Sequence, residues 1–214
     1  MGTAASNPHT EFLASVNREF RAPLSGILGM TDLLLETRLD DRQREYLAAA
    51  RFCAEELLAH VNAALELSAL SAGHIALDDV HFNLRELLHA AAAEYHRKAA
   101  RKGLRFAARF GRNVPALAGG DAVRLRQLLG RLLDAALNGA DEGEIGLEAD
   151  AERISAERFR LTAAVRYKGA AESRPAGEAL DLGIAVAEKL VALMGGEMRG
   201  DSVAVPLGYV QAVA

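Results

Sequence analysis

Phe12-Leu13-Ala14-Ser15-Val16-Asn17-Arg18-Glu19-Phe20-Arg21-Ala22-Pro23-Leu24-Ser25-Gly26-Ile27-Leu28-Gly29-Met30 is the stretch that decides the fold. Its apolar residues recur at helical spacing: Phe12, Val16, Phe20 and Ile27, then Leu34, with Leu24 and Met30 filling the stripe. That spacing predicts a helix from Thr10 to about Glu36. Thr37-Arg38-Leu39-Asp40-Asp41 breaks the pattern and reads as a turn. A second periodic stretch runs from Arg42 to about Ser71, carried by Tyr46, Ala50, Cys53, Leu57, Val61, Ala64 and Leu65. Two long helices joined by a short turn make an antiparallel hairpin. A lone hairpin leaves much of its stripe in water. Pairing two hairpins into a four-helix bundle buries it, so a homodimer is expected. The alternative is that the stripe packs against the rest of its own chain.

Ser71-Ala72-Gly73 closes the second helix, with Gly73 suited to a left-handed cap. Strand-like runs follow at Ile75–Leu77, Leu104–Ala107, Glu144–Glu148 and Phe159–Val165. Helical stretches lie between and beyond them, at Leu84–Lys102, Asp121–Leu137 and Ala179–Met194. The fold class is therefore α+β: a helical hairpin followed by a mixed α/β domain.

The chain has 214 residues, enough for one large or two modest domains. Half the residues are hydrophobic and a quarter charged, an ordinary globular composition. A net charge of −4 argues against nucleic acid as a partner. The basic run Arg97-Lys98-Ala99-Ala100-Arg101-Lys102 has no interleaved aromatics and reads as the solvated end of a helix. A single cysteine, Cys53, precludes an internal disulfide framework and fits a reducing cytoplasm. No apolar stretch approaches the roughly 20 residues of a membrane helix, so no membrane segment is expected. Met1 to Thr10 is small and polar, and residues 1–9 are expected to form a flexible tail.

The segment from Phe12 to Leu24 resembles the phospho-acceptor helix of bacterial two-component sensor histidine kinases, whose pattern reads F-L-A-x-x-S-H-E-x-R-T-P-L. Ser25 to Met30 continues the match, Gln43-Arg44-Glu45-Tyr46-Leu47 resembles the start of the family's second helix, and Leu70-Ser71-Ala72-Gly73 its exit. Gly120-Asp121-Ala122-Val123-Arg124-Leu125-Arg126-Gln127-Leu128-Leu129 is similar to the entry of the family's ATP-site helix. Leu190-Val191-Ala192-Leu193-Met194-Gly195-Gly196-Glu197 resembles its L-V-x-L-M-G-G-E. The order and spacing of these motifs carry the resemblance. It implies a dimerising, phosphotransfer-like hairpin at 10–72, a linker at 73–80 and a Bergerat-type ATP-binding α/β sandwich, here degenerate, at 81–214.

The chemistry-bearing positions depart from the family. The acceptor histidine falls at Arg18, whose guanidinium is always protonated and is no nucleophile. Glu19 matches the neighbouring acid but has no imidazole beside it. Ala22 replaces a threonine that helps place a water for phosphatase activity in the family. The magnesium-binding asparagine falls at Ala135, which offers a hard cation no oxygen ligand. The aspartate that reads adenine falls at Tyr167, and a glycine of the same motif at Ala171. In the glycine-rich lid, Ala179 and Asp181 replace glycines, and the aspartate charge repels phosphate. The stretch between Ala171 and Ala179 is also short for the family's lid. The resemblance therefore implies no catalytic residue, no bound ATP and no bound magnesium. Arg131 occupies a position often held by asparagine and is a candidate to fill the vacated pocket through a salt bridge.

Of the six histidines, His9, His60, His74, His81, His89 and His96, none has the paired acid or cysteine of a metal site. His60, in the second helix, is the best substitute acceptor. The scaffold is the part retained. In the family the response regulator docks on the hairpin below the acceptor. Arg18, Phe20, Leu24, Ile27 and Leu28 are the expected partner-binding residues here. The expectation is a dimeric, cytoplasmic pseudokinase that binds a response regulator receiver domain or an active histidine kinase. The alternatives are a phosphotransferase or kinase with a non-standard acceptor, and a structural module of a larger hybrid sensor.

Overall fold

The computed structural model describes the backbone of residues 8–72, 75–168 and 182–210, and side chains from residue 19 onward within them. The chain divides into two compact units, Met1–Ala72 and Gly73–Ala214.

The first unit is a helical hairpin. Helix α1 spans Pro8–Leu35 and helix α2 spans Asp41–Ser71. The first helix begins two residues earlier than the periodicity placed it. Thr37 stops α1 by turning both its amide and its hydroxyl onto the Leu34 carbonyl, at 3.0 and 2.7 Å. Asp40 then starts α2 with a capping box. Its carboxylate accepts from the Gln43 amide at 2.8 Å, and the Gln43 side chain accepts from the Asp40 amide at 3.1 Å. The end of α2 is capped by Ala72 in an ordinary right-handed conformation. Gly73, expected as a left-handed cap, lies outside the described residues.

The seam between the helices is narrow. Leu24, Thr31 and Ala54 are buried, and Leu28, Leu35, Leu47, Leu58 and Val61 are half-buried. Thr31 satisfies its buried hydroxyl by donating to the Leu28 carbonyl at 2.8 Å. An ion pair, Arg51–Asp32 at 3.1 Å, ties the helices at the surface. Exposed on both sides, it contributes less than about 1 kcal/mol.

Among its described residues the second unit layers three helices on one face of a sheet. In chain order it runs β1 (Val80–Asn83), α3 (Leu84–Arg101), β2 (Arg105–Phe110), β3 (Leu117–Gly120) and α4 (Ala122–Asn138). It continues with β4 (Glu144–Arg153), β5 (Arg158–Lys168), α5 (Leu182–Leu193), β6 (Glu197–Arg199) and β7 (Ser202–Tyr209). Among the described residues seven strands are ordered β1-β3-β7-β5-β4-β2, with β6 paired to β7. Of these strands, β2 and β4 are parallel neighbours, and the other described pairs are antiparallel. Ile145, Leu147, Phe159, Leu161, Val203 and Val205 alternate inward along the central strands. They meet Leu84, Leu88, Leu125, Leu129, Leu133 and Leu190 from the helices, and all are buried. Glu148, Arg160 and Thr162 stand on the uncovered face.

Two boundaries differ from the sequence reading. Ile75–Leu77 is not a strand; the first strand is Val80–Asn83, which starts on the last residue of the stretch expected as linker. Strands β3, β6 and β7 were not anticipated at all.

The Gly195-Gly196 pair has a steric reason. Gly195 adopts a positive φ of 69° and donates to the Ala192 carbonyl as α5 ends. A Cβ at Gly196 would collide with the Ala204 carbonyl on β7. Gly196→Ala should therefore destabilise the protein by about 1–3 kcal/mol in a denaturant titration. Gly26→Ala on α1, where the added methyl meets open space, should leave stability unchanged or raise it by up to about 1 kcal/mol.

Candidate functional site

The hairpin positions singled out by sequence lie on α1 around Arg18, whose own side chain is outside the described residues. Glu19 and Ala22 are exposed. Pro23 sits inside the helix without an N–H, so one rung of the backbone ladder is absent just beyond Arg18. Phe20 is 49% exposed and Ile27 47%, so both are open to a partner. Leu24 is not. It is only 6% exposed and forms part of the seam with α2. Leu28 is half-buried toward the same seam. The expected docking set therefore reduces to Phe20 and Ile27 among the described side chains. The physical reason is rotation: Leu24 and Leu28 stand one turn apart on the face that α2 covers, while Phe20 and Ile27 flank it.

An apolar band flanks the seam beyond these two. On α1 it continues to Met30 and Leu34, 69% and 46% exposed. On α2 it comprises Tyr46 and Leu57, 58% and 50% exposed, with the exposed Ala50, Cys53 and Ala64 on the same side. His60 is exposed on α2.

In the second unit, Ala135 sits half-buried near the end of α4, where its carbonyl accepts from Gly139 at 3.0 Å. Tyr167 lies near the end of β5, in register with Ile145 of β4. Its hydroxyl donates to the Glu142 carbonyl at 2.6 Å, in the loop joining α4 to β4. Both positions are thus brought to the end of the unit where α4 passes into β4. Ala171, Ala179 and Asp181 lie outside the described residues.

Helix α4 starts on a buried carboxylate. Asp121 is 5% exposed; one oxygen accepts from the Arg124 amide at 2.9 Å and the other from the Asp78 amide at 3.1 Å. The same side chain caps the helix and holds the segment entering β1.

Between α3 and α4 runs a groove of about 270 Å³ lined by Glu94, Tyr95, Arg126, Gln127, Arg131 and Asp134. Lys98 bridges Glu94 and Asp134 at 3.2 and 3.3 Å, and Arg126 reaches Glu94 at 3.3 Å. The Lys98 ammonium stands 4.2 Å from the Tyr95 ring centroid. Burial opposes ionisation of Glu94, but Lys98 and Arg126 outweigh it and hold the carboxyl below its usual range. Tyr95 donates to the Gly130 carbonyl at 2.9 Å, and burial together with Asp134 pushes its hydroxyl well above the ordinary value. Arg131 lines this groove. Sequence reasoning overlooked Tyr95; the signal was a bulky hydroxyl on the core face of α3 facing a glycine of α4.

Residues 9–73 match the family His Kinase A (phospho-acceptor) domain. The sensor protein GacS of Pseudomonas syringae pv. syringae is 34% identical over 216 residues, covering 92% of this chain and 24% of GacS. The crystal structure of full-length ShkA in complex with AMPPNP aligns at 30% identity with a TM-score of 0.66, covering 92% of this chain and 45% of that one.

The chain has a two-component histidine kinase core. It spans about a quarter of the length of the curated relative GacS. The histidine kinase ThkA, crystallised in complex with the response regulator protein TrrA, shares the fold. It is 20% identical with a TM-score of 0.50, covering 92% of this chain and 60% of ThkA.

The raised Tyr95 pKa predicts a pH effect in this histidine kinase core. The unfolded tyrosine ionises near 10.0 while the folded one resists. Stability is therefore flat below pH 10 and falls as pH rises above it. Tyr95→Phe should remove that part of the alkaline slope in denaturant titrations. It should also cost about 1 kcal/mol at neutral pH through loss of the hydroxyl's bond to the Gly130 carbonyl.

Proposed function

We propose that this histidine kinase core is a pseudokinase. It dimerises through the hairpin and binds the receiver domain of a response regulator, or a partner kinase, acting by occupancy. Arg18 at the acceptor position is the observation that carries the reading. A guanidinium neither attacks a phosphoryl group nor releases the proton such an attack requires.

Other positions support it. Ala22 is exposed and has no hydroxyl. Ala135 presents a methyl group where the family has a metal-binding amide. Tyr167 commits its hydroxyl to the Glu142 carbonyl. Asp181, by its sequence position, sets a carboxylate where the family has a glycine near phosphate. ATP and magnesium binding are lost in this reading.

The dimer is supported by the band of Phe20, Ile27, Met30, Leu34, Tyr46 and Leu57. Six exposed large apolar side chains on one flank of two helices exceed what a monomer usually leaves in water. Phe20 and Ile27 extend that band toward Arg18. A receiver domain seated there would bring its acidic phosphorylation site to the Arg18 guanidinium. A kinase of this fold has been crystallised with a response regulator protein, which supports that class of partner. No described helix is long and apolar enough to cross a membrane. With Cys53 as the single cysteine, we place the core in the cytoplasm.

Calorimetry with ATP and magnesium should show no heat up to millimolar nucleotide. Micromolar binding would overturn the loss of the ATP site. Arg18→His should not restore autophosphorylation, because the second site fails independently. In a binding assay with a cognate receiver domain, Arg18→Glu should weaken affinity about tenfold or more, and unchanged affinity would sink the docking reading.

The dimer has its own test. Leu34→Glu with Leu57→Glu should raise the dimer dissociation constant by about a hundredfold or more in analytical ultracentrifugation. A wild-type protein that sediments as a monomer at high micromolar concentration would refute dimerisation.

A further inference from the structure

Strand β2, Arg105–Phe110, is the last strand in the order of the sheet. Among the described residues it pairs with β4 alone. The Arg105 amide donates to the Gly143 carbonyl at 3.0 Å and the Gly111 amide to the Ala149 carbonyl at 2.8 Å. The odd-numbered residues therefore turn their main chain toward β4. By the period of two, Phe106, Ala108 and Phe110 turn theirs outward.

The surroundings of that edge are chemically uneven. Phe106 and Phe110 are half-buried on the helix side, each met edge-on by a histidine ring of α3. The His89–Phe110 centroids are 5.0 Å apart and the His96–Phe106 centroids 6.5 Å. Arg105 and Arg109 stand on the opposite face of the sheet, exposed. Arg97 and Arg101 are exposed on the last turns of α3, and Arg112 follows the strand. The facing acids are Glu144 and Glu148, opposite Arg105 and Arg109 in register, and Asp150, whose carboxylate lies against Gly111 just past the strand. Glu148 is shared, lying 3.7 Å from Arg109 and 3.8 Å from Arg166. Positive charge is in excess along the edge.

Charges along an edge strand disfavour its pairing with an uncharged or like-charged strand and leave it open to one of opposite charge. Here the arginines stand on the sheet face, and the middle of the edge is Ala108, exposed and too small to shield its backbone.

We propose that this edge of β2 docks an extended segment of a partner protein in which acidic residues alternate with apolar ones. The segment adds as a further strand. Its main chain bonds to Phe106, Ala108 and Phe110. Its acidic side chains face Arg105 and Arg109, and its apolar side chains lie against Phe106 and Phe110. Main-chain bonds supply affinity, and the alternating side chains supply selection. The site uses neither the hairpin nor the nucleotide positions, so it is independent of the pseudokinase reading.

Fluorescence anisotropy with the full chain tests it. The probe is a labelled peptide of alternating glutamate and valine, long enough to span the six residues of β2, with a lysine–valine peptide as its counterpart. The glutamate peptide should bind in the micromolar range, more weakly as salt rises, and at least about tenfold more tightly than the lysine peptide. Equal binding of the two, or no binding, overturns the proposal. Ala108→Pro removes one outward N–H and leaves the bonds to β4 in place, so it should weaken binding about tenfold with an unchanged melt. Full affinity in that variant also overturns the proposal. Should Ala108→Pro lower the melt, a glutamate peptide N-methylated on alternate residues answers the same question against the unaltered chain. Of the two possible methylation frames, one should abolish binding; full affinity in both overturns the strand-addition mode.

Discussion

A pair of helices has no interior. Each can give the other one face, and in α1 and α2 that face is spent on a seam of Leu24, Thr31 and Ala54 with half-buried neighbours. Everything else apolar on the hairpin must find cover elsewhere or stay wet. The second unit is under no such constraint. Its sheet and three helices enclose fully buried leucines on α3, α4 and α5 together with Phe159, Leu161 and Ile145 on the strands. The two halves of the chain thus differ in kind. One is self-sufficient in its core. The other leaves a flank of large apolar side chains exposed, the surface to which the proposed dimer assigns a second copy.

The hairpin was legible because its signal is long. Periodicity over some thirty residues located both helices to within a residue or two, and the polar turn at 36–40 separated them cleanly. What periodicity blurred was rotation. Phe20, Leu24, Ile27 and Leu28 all belong to one broad stripe, and only packing shows that α2 takes Leu24 and Leu28 while leaving the other two exposed. In the second unit, α3, α4, β4 and β5 were readable from their apolar runs. Strands β1, β3 and β6 were not, since each has at most four residues and none shows a strong inward alternation, whereas β7 was missed although Val203, Val205 and Leu207 alternate inward along its eight residues. Ile75-Ala76-Leu77 read as a strand because it is apolar, yet its backbone enters the sheet only at Val80.

Chemistry was more legible than geometry. The identity of residue 18 needs no coordinates, and neither do those of residues 22, 135 and 167. What the structure adds is where those side chains spend their polar atoms. The Tyr167 hydroxyl is engaged by a loop carbonyl. Arg131 lines a groove whose charges are already paired through Lys98, Glu94, Asp134 and Arg126. Asp121, which sequence placed only as part of a motif, caps a helix and anchors the approach to β1 with one buried carboxylate.

The placement of β7 also decides when this chain can fold on the ribosome. Ser202–Tyr209 lies between β3 and β5 in the middle of the sheet. Until it emerges, β1 and β3 have no bridge to β5, β4 and β2, and Phe159 and Leu161 lack the neighbours that close the core. The hairpin, local in sequence, can form as soon as α2 clears the exit tunnel. For the whole time needed to make the second unit, the nascent chain therefore presents a finished hairpin with its apolar flank exposed. Neighbouring ribosomes on one messenger would hold several such flanks close together, and the dimer proposed above would then form during synthesis more readily than after release.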